Sequence, residues 1–522
     1  MEHSFANVPR ASIQRSSFNR SHGYKTTFDA DYLIPVFVDD VMPGDTFNLN
    51  MNFFARLATP LYPIMDNMYL ESFWFFVPYR LVWDNWEKMH GAQDNPADSI
   101  DFTVPERVGT QAALGSIYDY MGLPNGVAVT HNVLPMRAYQ LIWDEWFRDE
   151  NLQDSLSPPT DNGPDTAVSY GLKKRGKRHD YFTSCLPWPQ KGDAVSLPLG
   201  TQAPITGIGV KDTATPAGPG SETVHETDNA SQTYTYYHHA ASLADVRFEM
   251  SSASDESLQI YADLSTATAA TINDLRLAFQ TQRLLERDAR SGTRYNELIL
   301  SHFGVTVPDF RVQRPEFLGG GSSPVNISPV AQTSGQPTPA TDDKLGNLAA
   351  IGTVSGSHGF SKSFVEHGVI IGLVNVRSDI TYSQGLERYW SKSTRYDFMY
   401  PVLAQIGEQS VLNKEIYAQN TSADDEVFGY QERYAEYRYK PSRLTGLFAV
   451  DAAGSLSSWH LSEDFTSLPT LGDTFIQSNT GAPLDRAIAI PSEPQFIFDS
   501  YIQLKCARPM PLFGVPGNLD HF

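Results

Sequence analysis

The chain reads as an all-β protein on three observations. Phe47, Leu49, Met51 and Phe53 alternate with Asn48, Asn50 and Asn52, the period of two that sets apolar side chains on one face of a strand. The run Met68-Tyr69-Leu70-Glu71-Ser72-Phe73-Trp74-Phe75-Phe76-Val77-Pro78 is aromatic and β-branched enough for a second strand closed by proline. With 34 prolines, 37 glycines and 12% aromatic residues among 522, composition favours many short strands and long ordered loops over a helical protein.

Taken in order, residues 1–30 are polar and aperiodic and read as an extended arm, basic through Arg10, Arg15, Arg20 and Lys25. Strands are expected at 33–38, 47–55 and 68–77, the second after the turn Pro43-Gly44-Asp45. Aromatic side chains are worth roughly 1.5–3 kcal/mol each when fully buried, so the third strand must meet another large surface. Leu81-Val82-Trp83-Asp84-Asn85-Trp86 and Leu141-Ile142-Trp143-Asp144-Glu145-Trp146-Phe147 suit short helices.

From residue 201 to 240 the character changes: eight positions are Thr, Gly and Pro are frequent, and apolar periodicity is missing. This is a long surface insertion. His225, Tyr234, Tyr236, Tyr237, His238 and His239 within it are residue types common in contact surfaces. A helix follows, opening at Thr271-Ile272-Asn273-Asp274 and ending near Ser291-Gly292, with Ile272, Leu275 and Phe279 as its inner stripe. Arg276, Arg283, Arg287, Arg290 and Arg294 recur along one side; Glu286 lies within three or four residues of Arg283, Arg287 and Arg290, near enough for local ion pairs, and an intersubunit or phosphate contact is the alternative. Gly319-Gly320-Gly321-Ser322-Ser323-Pro324 and residues 332–343 have loop composition. Strands are expected at 364–376, 430–439, 443–450 and about 496–506.

Net charge is −21, which excludes a nucleic-acid binder over its whole surface. Two places oppose that sign, the arm and Lys173-Lys174-Arg175-Gly176-Lys177-Arg178. Cys185 and Cys506 cannot form a disulfide framework, and the first residues lack the basic and apolar regions of a signal peptide, so maturation in a reducing cytoplasm is expected. No apolar run approaches the roughly 18–20 residues of a membrane helix. Cys185 lies near His179 and Asp180, but sequence proximity does not create a dyad, and a buried cysteine is expected there. Asp144-Glu145 and Asp424-Asp425-Glu426 are sequence neighbours that point apart, whereas glycosidase carboxylates face each other. His225, His238 and His239 lack further well-spaced ligands, so no metal and no cofactor are expected.

Several dispersed stretches resemble the major capsid protein of small single-stranded DNA phages of the microvirus family, gokushovirus branch. They include Ser17-Phe18-Asn19-Arg20-Ser21-His22, Pro43-Gly44-Asp45-Thr46-Phe47, Arg56-Leu57-Ala58-Thr59-Pro60 and Phe75-Phe76-Val77-Pro78-Tyr79-Arg80. Later come Leu186-Pro187-Trp188-Pro189-Gln190-Lys191-Gly192, Leu284-Leu285-Glu286-Arg287-Asp288-Ala289-Arg290, Gln313-Arg314-Pro315-Glu316-Phe317-Leu318 and Phe428-Gly429-Tyr430-Gln431-Glu432-Arg433-Tyr434.

The resemblance implies an eight-stranded antiparallel jelly roll with long insertions and a few short helices, residues 31–522 forming one domain with the insertion at about 198–258. Its copies would assemble through pentamers into a T=1 icosahedral shell around circular single-stranded DNA, and Phe76-Val77-Pro78-Tyr79-Arg80 would be where core packing hands over to neighbouring subunits. The implied partners are an internal scaffolding protein, a small basic DNA-binding protein, a spike or pilot protein where present, and a host receptor met by the insertion at the threefold axes. The arm and Lys173, Lys174, Arg175, Lys177 and Arg178 are expected to face the genome or the basic packaging protein. The runner-up is a carbohydrate-binding or glycosidase-like jelly roll, in which Tyr234, Tyr236, Tyr237 and the Trp-rich segments stack on sugars.

Overall fold

The computed structural model describes residues 14–166, 170–193, 195, 205–206, 220–225, 233–238, 250–252, 255–258, 261–262, 272–290, 300–303, 313–333 and 346–513. Two compact units divide the chain, Met1–Pro189 with Ser291–Phe522, and Gln190–Arg290.

The larger unit is built on two antiparallel sheets. Its principal strands are β1 (Ser16–Asn19), β2 (His22–Phe28), β3 (Ile34–Val41), β4 (Thr46–Leu57), β5 (Met68–Pro78), β6 (Glu316–Pro324), β7 (Asn326–Ala331), β8 (Leu348–Ser363), β9 (Gly368–Ser378) and β10 (Phe496–Arg508). One sheet runs β1-β10-β4-β8-β7 with β2 also paired to β10, and the other runs β6-β5-β9-β3. The chain switches sheet at each step from β2 to β5 and again from β8 to β10, which is jelly-roll connectivity. The sheets hold six and four strands rather than eight in all. The first edge is split around Arg20-Ser21, and β7 adds a hairpin partner to β8.

The expected arm is therefore, from Ser16 to Phe28, the edge of a sheet. It lies antiparallel on β10, and Phe28 is buried against Phe496 with ring centroids 5.6 Å apart. Only one flank of an edge strand is paired, so its sequence stays polar and shows little periodicity.

Between the sheets, Phe47, Leu49, Met51, Phe53, Ala55 and Leu57 of β4 are all buried, as their alternation predicts. They join Trp74, Phe76, Ile370, Val374, Phe498 and Ile502 in one core. Asn48, Phe54, Arg56, Tyr501 and Gln503 lie on the exposed outer face of that sheet. The other sheet is covered on both faces. Phe75, Val77, Val369, Ile371 and Leu373 pack away from the sandwich, together with Leu134, Met136, Tyr139, Ile142 and Trp143 of helix α1 (Leu134–Trp146). Double coverage explains why β5 and β9 read as continuous apolar runs. It also corrects the expected handover to neighbours: Phe76, Val77 and Tyr79 are buried within the subunit, and Arg80 pairs with Glu366 at 2.8 Å.

The triple glycine is a strand, not a loop. Gly319, Gly320 and Gly321 lie opposite Trp74, Phe73 and Ser72 of β5, next to a bulge at Phe317. A Cβ on Gly320 would collide with the Ser72 carbonyl, and one on Gly321 with the His358 ring, so close backbone approach selects glycine here. The strand expected at 430–439 is Val427–Glu432 followed by a 3-10 turn at Ala435–Tyr437, and 443–450 holds the 3-10 turn Gly446–Phe448 instead of a strand.

His358 ties the sheets together, sharing hydrogen bonds with Ser72 Oγ at 2.7 Å and Ser323 Oγ at 3.1 Å. Burial pushes its pKa below the ordinary value. The fold thus favours the neutral ring, and its contribution is fully present above the unfolded pKa of about 6.5. Stability should fall as pH drops below that value, because the unfolded chain then takes up a proton that the fold resists. Urea midpoints at pH 7.5 and 5.5 check this, and His358→Gln should flatten the difference.

In the smaller unit Gly220–His225 pairs antiparallel with Thr233–His238, and helix α2 (Ile272–Arg290) occupies the expected span. Leu275 and Phe279, expected on its inner stripe, are exposed.

Candidate nucleic-acid interface

The residues singled out for phosphate contact have different fates. Arg10 lies outside the described residues. Arg15 is exposed and donates to the Gly44 carbonyl at 2.6 Å and Thr46 Oγ1 at 2.9 Å. Arg20 is held on Asp39, with Nη2 donating to Oδ1 at 2.9 Å. Lys25 meets Asp499 at 3.0 Å with both side chains more than half exposed. An ion pair this open is worth about 0–1 kcal/mol, so Lys25 can exchange its partner for a phosphate.

The second group threads between elements of the larger unit. Arg175 N donates to the Asp31 carbonyl, and Lys177 N to that of Ile476. This anchoring fixes alternate side chains on different sides. Lys173 Nζ sits 5.5 Å from the Trp143 ring centroid and Lys174 Nζ 5.3 Å from that of Tyr32, and both lysines line one cavity of about 440 Å³. Lys177 is different: it is buried against Glu463 at 2.8 Å, with the two side chains 4% and 5% exposed. Its charge is matched inside the subunit, which removes it from the set that can reach a phosphate.

Arg175 and Arg178 converge with Arg377 on one carboxylate, Glu71; Arg377 Nε lies 3.0 Å and Arg178 Nη2 3.5 Å from it. Arg178 also reaches Asp379 at 3.1 Å. Three guanidinium groups thus share two carboxylates. Burial, and then the neighbouring Arg377, push Arg175 down to about 10, so it remains charged at neutral pH. Burial alone would raise the Glu71 carboxyl, but the three arginines outweigh it and hold it below its ordinary value.

These arginines line an open cavity of about 410 Å³ whose walls also include His179, the largely buried Lys177 and the aromatic rings of Phe73, Phe75, Trp146, Phe147 and Phe317. The Arg175 guanidinium stacks 4.6 Å from the Phe73 ring, and Arg314 lies 4.9 Å from that of Trp146. Guanidinium groups beside exposed aromatic rings can hold a backbone phosphate while a base stacks, without reading sequence. The run at 173–178 pointed to part of this site. Arg377 and the aromatic walls were missed because they come from β9, β5, β6 and α1, far apart in sequence.

The remaining chemical candidates are occupied in structural roles. Cys185 is buried and donates to the Tyr181 carbonyl at 3.3 Å. Asp144 accepts from Ser155 Oγ at 3.0 Å and from the Leu156 and Ser157 amides, and Asp424 accepts from the Gln419 and Asn420 amides. Of the expected host-contact residues, His225 closes one strand of the Gly220–His225 hairpin and Tyr234, Tyr236, Tyr237 and His238 lie on its partner strand. His239 lies outside the described residues.

The profile of the family described as "Capsid protein (F protein)" matches residues 6–518. This chain belongs to that capsid protein family. It is 47% identical to capsid protein VP1 of Bdellovibrio phage phiMH2K, over 100% of this chain and 98% of the relative. It is 44% identical to capsid protein VP1 of Chlamydia phage 1, over 99% and 98% of the two chains. It is 34% identical to the VP1 of Spiroplasma virus 4, over 99% and 97%. As a capsid protein the chain is a structural component of the virion that assembles with copies of itself. The jelly roll, with one sheet backed by α1 and the other open to solvent, is the capsid subunit's framework, and the arginine-aromatic cavity is one feature of its surface.

Proposed function

We propose that this capsid protein builds a T=1 icosahedral shell around circular single-stranded DNA, with the cavity of Arg175, Arg178 and Arg377 facing the genome. The observation that carries the reading is that cavity: cations in excess of carboxylates beside stacked aromatic rings, in a chain whose net charge is −21. Arg15, Lys25, Lys173 and Lys174 extend the same cationic role, and Arg10 belongs to it by sequence. An internal scaffolding protein assists assembly, a small basic DNA-binding protein shares the neutralisation of the genome, and a spike or pilot protein joins where present. The insertion at 198–258 meets the host receptor.

Two experiments test these assignments. Arg178→Ala and Trp146→Ala should leave shells intact while lowering the DNA retained per particle. For the purified chain on a single-stranded oligonucleotide, loss of one phosphate contact at Arg178 should lower the slope of log affinity against log salt by about 0.7. Unchanged packaging and an unchanged slope reject the site. Exchanging residues 201–240 between the phages whose VP1 proteins are similar should change which host cells adsorb the particle; unaffected adsorption rejects the insertion as the attachment site.

A further inference from the structure

Residues 386–406 carry an uncommon surface. Tyr389, Trp390, Tyr396, Phe398, Val402 and Ile406 are each half or more exposed, and Met399, Tyr400 and Tyr437 lie among them. Hydrogen bonds and cation-ring contacts join Tyr396, Phe398, Met399 and Tyr437 through Tyr434 and Lys392. Met399 N donates to Tyr437 Oη at 3.3 Å, Tyr434 Oη donates to the Tyr396 carbonyl at 3.1 Å, and Lys392 Nζ lies 3.9 Å from the Tyr437 ring centroid and 5.5 Å from that of Phe398.

Together these side chains leave on the order of 1,000 Å² of largely apolar surface in solvent. The largest apolar patch on a typical monomer is about 300–600 Å². One side of a standard protein interface is about 800 Å². The patch is therefore too large to stand idle and large enough for half of a specific interface.

Its chemistry fits the same use. Tyr, Trp and Arg dominate it, the residue types that carry most binding energy in interfaces. Arg395 stacks 5.1 Å from the Tyr400 ring and Arg433 4.9 Å from that of Tyr434. Arg395 hydrogen-bonds the Tyr400 hydroxyl and Arg433 the Tyr396 carbonyl, so among the described residues neither guanidinium is matched by a carboxylate there. A cavity of about 350 Å³ opens beside Trp390, walled by Leu386, Tyr439 and Leu444. Glu387, Arg388, Glu436 and Arg443 line it as well, so the cavity suits an inserted side chain with an apolar stem and a polar tip.

We propose that this aromatic and cationic surface is a contact between copies of the chain in the shell, with a side chain of one copy entering the cavity of the next. The inference rests on the shell-forming reading and names the surface that serves it. A second copy is the occupant that supplies both missing parts, the apolar area and, at net charge −21, the carboxylates for Arg395 and Arg433.

Oxidative footprinting of the full chain, free and in assembled shells, tests this. Trp390, Tyr396 and Met399 should react several-fold more slowly in shells, because burial in an interface core shuts these side chains off from solvent. The double variant Trp390→Ala/Tyr396→Ala should keep the thermal unfolding of the free chain and lose about tenfold or more of shell yield. If shells form and these residues react as in the free chain, this surface is overturned and the shell-forming reading stands. If the unchanged chain never forms shells, both fall. Protection of the free chain by another component, without contact between copies, overturns the second copy as occupant.

Discussion

Replacing Arg137 by alanine is expected to lower the unfolding free energy by about 3–5 kcal/mol, the range for removing one partner of a buried ion pair. The Arg137 side chain is 0% exposed and forks onto Asp165, with Nε donating to Oδ2 at 2.8 Å and Nη2 to Oδ1 at 2.6 Å. Its Nη1 donates to the carbonyls of Val82 and Asp161. The guanidinium thereby fastens α1, which backs the covered sheet, to the loops after β5 and before the basic run. Alanine would leave the Asp165 carboxylate with Tyr170 still donating to it and Arg107 as its nearby cation. Burial would raise that carboxyl, but Arg137 and Tyr170 outweigh it and hold it below the ordinary value. A depressed acid gives stability that is present above its unfolded pKa and lost as pH falls through the folded one, so this pair acts at neutral pH and fails only in strong acid. Lys25→Ala, at an open pair, should cost less than about 1 kcal/mol. Urea unfolding of the two variants checks the contrast, and similar small losses would show that the Arg137 network does not hold α1.

Replacing Gly320 by valine is expected to be comparably severe, about 3 kcal/mol or more, because the added atoms meet backbone rather than a side chain that can turn away. A Cβ at this position collides with the Ser72 carbonyl of β5. Relief requires β6 to leave β5, and with it Ser323 and the His358 link between the sheets. Gly171, where a Cβ meets nothing within 4 Å, is the control, and Gly171→Ala should change stability by no more than about 0.5 kcal/mol. Soluble Gly320→Val protein with an unchanged melting temperature would contradict the close approach.

The all-β class was legible because β4 obeys a period of two and because β5 and β10 concentrate aromatic and β-branched residues. Strand limits there came within a few residues. Two stretches misled for physical reasons. Gly319 to Gly321 carry the composition of a loop, yet their role is to let two backbones approach across a strand pair, a tertiary demand that no local pattern reveals. The polar stretch from Ser16 to Phe28 looked like an unpacked arm because an edge strand answers to one neighbour, and that neighbour, β10, lies at the other end of the chain. The candidate site was legible only in its contiguous part. The sequence run showed five cations, but only the fold shows that Lys177 is neutralised by Glu463 while Arg377 joins Arg175 and Arg178 from β9.

Electron cryomicroscopy of particles made by the full chain should show closed T=1 shells whose subunit is the two-sheet sandwich, with density for nucleic acid against the cavity of Arg175, Arg178 and Arg377. A chain that stays monomeric with and without an added scaffolding protein would contradict the shell-forming reading, and shells whose genome density avoids that cavity would contradict its place against the genome.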